Sequence, residues 1–134
     1  MSYLLDTNAC IQYLNGTSAA LRSKLESCQP DDIFLCAVVR AELFYGAIKS
    51  ANASKNLTKL RHFLGRFISL PFDDQSAEFY GDIRSQLEKA GTIIGPYDLM
   101  IGAIALANGV TLVSHNTREF SRIKDLRLED WETK

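Results

Sequence analysis

Four short, largely apolar runs recur along the chain: YLL at 3–5, IFLC at 33–36, FISL at 67–70 and VTLV at 110–113. The IFLC run leaves no polar face for water, so it belongs in a sheet covered on both sides. Residues 7–14, 19–28, 38–51, 54–65, 73–90 and 97–107 read as helices between the runs. The breaks are local, at Gly16, Pro30, Gly65, Pro71, Gly91, Gly95-Pro96 and Asn108-Gly109. Strands alternating with helices in this rhythm predict an α/β fold: a central parallel sheet of four strands, with 127–128 as a short fifth edge, flanked by helices. Function in such sheets gathers beyond the carboxyl ends of the strands. Chemistry is therefore sought directly after each run.

The 134 residues fit a single domain spanning 1–134. A domain of that size buries roughly two thirds of its unfolded surface, enough for a core without metal or disulfide staples. Cys10, Cys28 and Cys36 are odd in number and lack CxxC spacing. They read as small hydrophobes in a reduced, cytoplasmic setting. The opening MSYLLDTN has no basic segment before an apolar core, so no signal peptide is expected. Residues 99–117 carry no Asp, Glu, Lys or Arg, but Asn108-Gly109 interrupts them. That stretch is too short and broken to span a bilayer, and reads as a buried helix entering a buried strand.

The net charge of −1 conceals an uneven distribution. Residues 43–72 contain no acid but hold Lys49, Lys55, Lys59, Arg61 and Arg66, and an acidic segment follows. On charge alone the basic block is either a phosphate-tracking surface or a solvated helix face.

Four residues depart from a purely structural pattern. Asp6 follows the first strand; it can cap a helix there or place a carboxylate in a site. Glu42 shares a helical face with Val38, Val39 and Gly46, and Arg40, two positions away, cannot face it. A carboxylate among apolar neighbours is costly unless a cation or donors compensate it. Asp98 is the only charge at the head of the apolar helix LMIGAIALA, where it also suits the helix dipole. Asn116 lies just past the fourth strand, as a turn residue or a site residue, with Glu119 one turn on. Together these oxygen donors suit a hard divalent cation, Mg2+ or Mn2+, which would relieve their mutual repulsion. Beside a phosphodiester, such an ion supports hydrolysis.

The same residues carry a family pattern. LLDTN at 4–8, AEL at 41–43 with YG at 45–46, IGPYD at 94–98, HNTREF at 115–120 and EDW at 129–131 resemble the PIN-domain toxins called VapC. The resemblance covers residues 1–131 and implies a three-layer α/β/α fold of PIN type. It implies a magnesium-dependent endoribonuclease that inhibits translation, with transfer RNA as the leading substrate class and Mn2+ as a possible substitute ion. Carried over by position, Asp6 and Asp98 are direct metal ligands and Glu42 completes the acidic cluster. Asn116 stands where many PIN nucleases have a further acid, which implies a role in orienting water or phosphate, with Glu119 supplying missing charge. Thr7 and Asn8 are implied to support Asp6 through hydrogen bonds. His115 lies near the site, with contact to RNA as one role and a surface or packing role as the other. The implied partners are a VapB antitoxin, whose C-terminal tail crosses the active-site groove, and a second copy in a homodimer within a larger toxin–antitoxin complex. Part of the 43–72 surface is a candidate docking face.

A phosphatase of the haloacid dehalogenase type would need a second Asp two residues after Asp6, where this chain has Asn8. A response-regulator receiver would need an acidic pair near the first strand and a lysine after a late one, and neither is evident. A catalytically silent RNA-binding or protein-interaction domain is the alternative from another class. The retention of Asp6, Glu42 and Asp98 together weighs against it.

Overall fold

The computed structural model describes residues 1–133. Five strands, β1 (Tyr3–Leu5), β2 (Ile33–Cys36), β3 (Ile68–Leu70), β4 (Thr111–Val113) and β5 (Leu128–Glu129), form one sheet in the order β3-β2-β1-β4-β5. Every neighbouring pair is parallel. The helices are α1 (Thr7–Asn15), α2 (Ala19–Ser27), α3 (Ala37–Ile48), α4 (Ala53–Leu64), α5 (Asp74–Ala90), α6 (Pro96–Asn108) and α7 (Thr117–Phe120). Consecutive residues Leu4 and Leu5, Leu35 and Cys36, and Leu112 and Val113 are all buried, so both faces of the sheet are covered. This is the α/β/α arrangement expected from the apolar runs.

The elements depart from the sequence reading in a few places. Helix α3 ends at Ile48 and not at 51, because Ser50 turns back to the Ala47 carbonyl and Asn56 donates to Ser50. Strand β5 begins one residue later than expected, and the four-residue α7 was not foreseen. Cys10 and Cys36 are buried, Cys28 is half-buried, and all three are free thiols. Helix α4 buries Leu60, Phe63 and Leu64 while Lys55, Lys59 and Arg61 stay exposed, so these three cations of the basic block lie on its solvent face. Among the described residues, no helix is long and apolar enough to cross a membrane.

Two features of the sheet position the site. β1 connects onward to β2 on one side and pairs with β4 on the other, which makes the β1–β4 boundary the switch point of the strand order. The Asp6 amide continues that pairing, donating to the Val113 carbonyl at 3.0 Å. Helix α6 leads back into β4, so its first turn lies at the carboxyl edge of the strands. A Cβ on Gly102 would stand 2.7 Å from Ile123 Cδ1, so glycine there lets the segment after α7 pack closely on α6.

Candidate active site

Asp6 is both a cap and a buried acid. Its Oδ1 accepts the Ala9 amide at 2.8 Å at the head of α1, and its residue exposure is only 4%. Burial pushes its carboxyl up to about 6 from the ordinary 3.8; hydrogen bonds from Ser114 and Ala9 oppose the rise, and the charges of Asp98 and Glu132 add to it. Asp98, half-buried in the first turn of α6, is also raised by burial, then by Glu42 and Glu119, while a hydrogen bond from Asn116 opposes the rise. Glu42, half-buried on α3, accepts the Thr7 hydroxyl at 2.6 Å.

Residues distant in sequence therefore influence one another near the switch point: the charge of Asp98 raises Asp6, and those of Glu42 and Glu119 raise Asp98. Among the described residues, the ion pairs are Arg84–Glu88 and His115–Asp130, and none neutralises this cluster. One buried and two half-buried carboxylates without a basic partner could hold a cation, and their oxygen donors are of the kind a hard divalent ion takes. The cluster is open: Asp6, Glu42 and Asp98 do not form a three-ligand set with all atoms within 4.8 Å of one another, a spacing that His115, Asp130 and Glu132 do meet.

Thr7 requires a correction. Its hydroxyl serves Glu42 and not Asp6, because the cap geometry gives Asp6 to the Ala9 amide and turns Thr7 across to α3. Asn8 is exposed and forms no hydrogen bond to Asp6; with Thr7 and Glu42 it lines a surface groove of about 810 Å³. His115 is exposed, with Nδ1 2.9 Å from Asp130 Oδ2. Asn116 and Glu119 both lie beside Asp98. Ser114 was missed: it is buried just past β4, lowers the Asp6 carboxyl against the effect of burial, and accepts the Asn116 amide at 2.9 Å. The signal for it was its position, since it is the first residue past the fourth strand. Glu132 was missed too, and nothing in its local sequence points to Asp6.

The PIN domain family matches residues 3–126. This chain belongs to the PIN-domain family. Within the family its relatives are VapC proteins. Ribonuclease VapC2 of Rickettsia felis is 39% identical over 133 residues, covering 98% of this chain and 99% of the relative. The tRNA(fMet)-specific endonuclease VapC of Salmonella typhimurium is 36% identical, covering 98% of each. The PIN fold superposes on the structure of VapBC2 from Rickettsia felis bound to a DNA fragment from their promoter, with a TM-score of 0.91 at 39% identity over 98% of this chain and 99% of that one. It superposes equally on DNA-bound VapBC from Salmonella typhimurium, with a TM-score of 0.92 at 36% identity over 98% of each chain.

Proposed function

We propose that this PIN-domain protein is a metal-dependent endoribonuclease, the toxin of a VapBC-type toxin–antitoxin pair, with transfer RNA as its substrate class. The observation that carries this reading is the group of acids around Asp98, which has no basic partner among the described residues. The ribonuclease names of the relatives support the activity, and the tRNA(fMet)-specific relative supports the substrate class. The ion is Mg2+, with Mn2+ able to replace it. Asp6 and Asp98 would bind it directly, and Glu42 would complete the set.

The ion supplies Lewis acidity and lowers the pKa of a water molecule beside the phosphodiester. The protein's own part is to hold its acids in place before RNA arrives. Thr7 fixes Glu42 and the Ala9 amide fixes Asp6, while Ser114 and Asn116 favour the charged forms of Asp6 and Asp98. Such preorganisation avoids reorientation at the moment of reaction. Asn116 stands where many PIN nucleases carry a further acid, and Glu119 supplies part of the missing charge near Asp98.

The VapBC complexes among its structural neighbours support a VapB-type antitoxin as partner. Its C-terminal tail crosses the acidic site and sets a basic side chain against the carboxylates. The toxin is a homodimer in that larger complex and acts in the cytoplasm by inhibiting translation. Sequencing RNA ends after brief induction tests the whole reading: new tRNA ends should arise with the wild type and be absent with Asp98→Asn. In vitro, cleavage should require Mg2+ and stop with EDTA. Cleavage that continues in EDTA, or with Asp98→Asn, would sink it.

A further inference from the structure

His115, Asp130 and Glu132 come from two separate segments, the turn after β4 and the tail beyond β5. One ligand atom from each, a ring nitrogen or a carboxylate oxygen, lies within 4.8 Å of the other two. Zn–N and Zn–O bonds of about 2.0–2.2 Å at tetrahedral angles hold ligand atoms roughly 3.4 Å apart. Even the most distant pair therefore closes on one ion by a shift of roughly 1.4 Å at most. The Asp130 side chain is only 16% exposed, and its Oδ1 accepts the Glu132 amide at 2.9 Å, which leaves Oδ2 turned to His115. A histidine–aspartate pair is complete with two members, and Glu132 adds a negative charge that the pair does not need. That charge acts on both His115 and Asp6. Lys24, a cation on this flank, lies 5.8 Å from the Trp131 ring centroid and forms no ion pair among the described residues.

We propose that His115, Asp130 and Glu132 form a second cation site, for a transition ion of the Zn2+ class, which clasps the C-terminal segment onto the turn that carries Ser114 and Asn116. The imidazole sets this site apart, because a nitrogen donor suits Zn2+ whereas the all-oxygen acids around Asp98 suit Mg2+ and Mn2+. With the imidazole neutral, as ligation requires, the two carboxylates balance the charge of a divalent ion. Three protein ligands leave a coordination position for water, and the exposed His115 gives entry from solvent. The clasp has a clear place in the fold. Strand β5 has only two residues, and beyond it Trp131 is the buried anchor of the segment. An ion held by the residues on either side of that anchor ties it to a turn 15 positions earlier in sequence. The ion stiffens that turn and offsets the charge that Glu132 exerts on Asp6. It takes no part in cutting a phosphodiester.

The test is isothermal titration of Zn2+ into the metal-stripped full chain in excess Mg2+, for the wild type and for Asp98→Asn. Both should bind one Zn2+ with the same affinity. His115→Ala, Asp130→Asn and Glu132→Gln should each weaken that binding at least about tenfold, since loss even of an outer partner of a metal ligand costs that much. His115→Ala alters an exposed side chain and remains decisive should either acid variant fail to fold. Amide hydrogen exchange at 114–116 and 129–132 should slow together when Zn2+ is added to the wild type, and should not in His115→Ala. The emission of Trp131, the only tryptophan, should change with the same stoichiometry. Zn2+ affinity unchanged by His115→Ala, or lost in Asp98→Asn, would place the ion on the acid cluster and overturn the proposal. So would a wild type that binds no Zn2+, or one that binds it without the paired slowing of exchange. None of these readouts involves RNA cleavage, so a failure here is distinguishable from a failure of the nuclease reading.

Discussion

The Thr7 hydroxyl donates to the Glu42 carboxylate at 2.6 Å, tying the first turn of α1 to α3 across 35 positions of sequence. A hydrogen bond to a charged acceptor contributes roughly 1.5–3 kcal/mol when buried, and half-burial in contact with solvent brings this one down to the roughly 1 kcal/mol of an ordinary hydrogen bond. Thr7→Ala should lower stability by about 1 kcal/mol and reduce cleavage by about tenfold, a loss comparable to one positioning contact. Thr7→Ser should restore most of both. Urea unfolding and cleavage rates check this; a Thr7→Ala variant with full activity would show that Glu42 needs no tether.

Asp6 gives a pH prediction with a definite sign. Burial raises its carboxyl to about 6 in the folded protein against 3.8 for the free group. The native state therefore holds the proton more tightly. Without metal, stability is present below about pH 4 and is lost as pH rises through 6, reaching a cost of about 3 kcal/mol at neutral pH. Asp6→Asn, which can keep the cap on Ala9, should thus be more stable than wild type in EDTA at neutral pH and inactive. The gap should close on acidification. Thermal unfolding of both proteins across this range measures it, and equal stability at neutral pH would contradict it.

His115 and Asp130 brace the turn after β4 against the C-terminal segment. Their contact, together with the Ser114 amide donating to the Glu129 carbonyl at 3.0 Å, frames the turn that carries Ser114 and Asn116. Asp130 is the main cause that raises His115 above its ordinary 6.5, so the pair's contribution is complete below 6.5 and fades as pH rises through the folded value. In Asp130→Ala the NMR titration midpoint of His115 should fall back toward 6.5. The stability difference from wild type should appear only on the acid side. A midpoint that does not move would show that the contact is absent in solution.

The strands were legible because a segment buried on both faces must be apolar throughout, as Ile33–Cys36 is. Asp6, Glu42, Asp98 and Asn116 stood out because each breaks an apolar pattern close to a strand's carboxyl end. Their partners were not legible. Whether Thr7 faces Asp6 or Glu42 depends on how α1 is rotated against α3, and no local pattern encodes that rotation. Glu132 reaches the vicinity of Asp6 because β5 adds beyond β4 and the adjacent Trp131 is buried against Tyr3. The early end of α3 is set by side-chain bonds of Ser50 and Asn56, not by Gly or Pro.

Mn2+ binding by isothermal titration to wild type and to Asp6→Asn, Glu42→Gln and Asp98→Asn asks most directly whether these acids act as one centre. All three variants should bind Mn2+ at least about tenfold more weakly, about 1.4 kcal/mol for each carboxylate lost, while Glu78→Gln on the exposed face of α5 binds like wild type. Wild-type affinity in any two of the three site variants would mean that the acids do not share an ion.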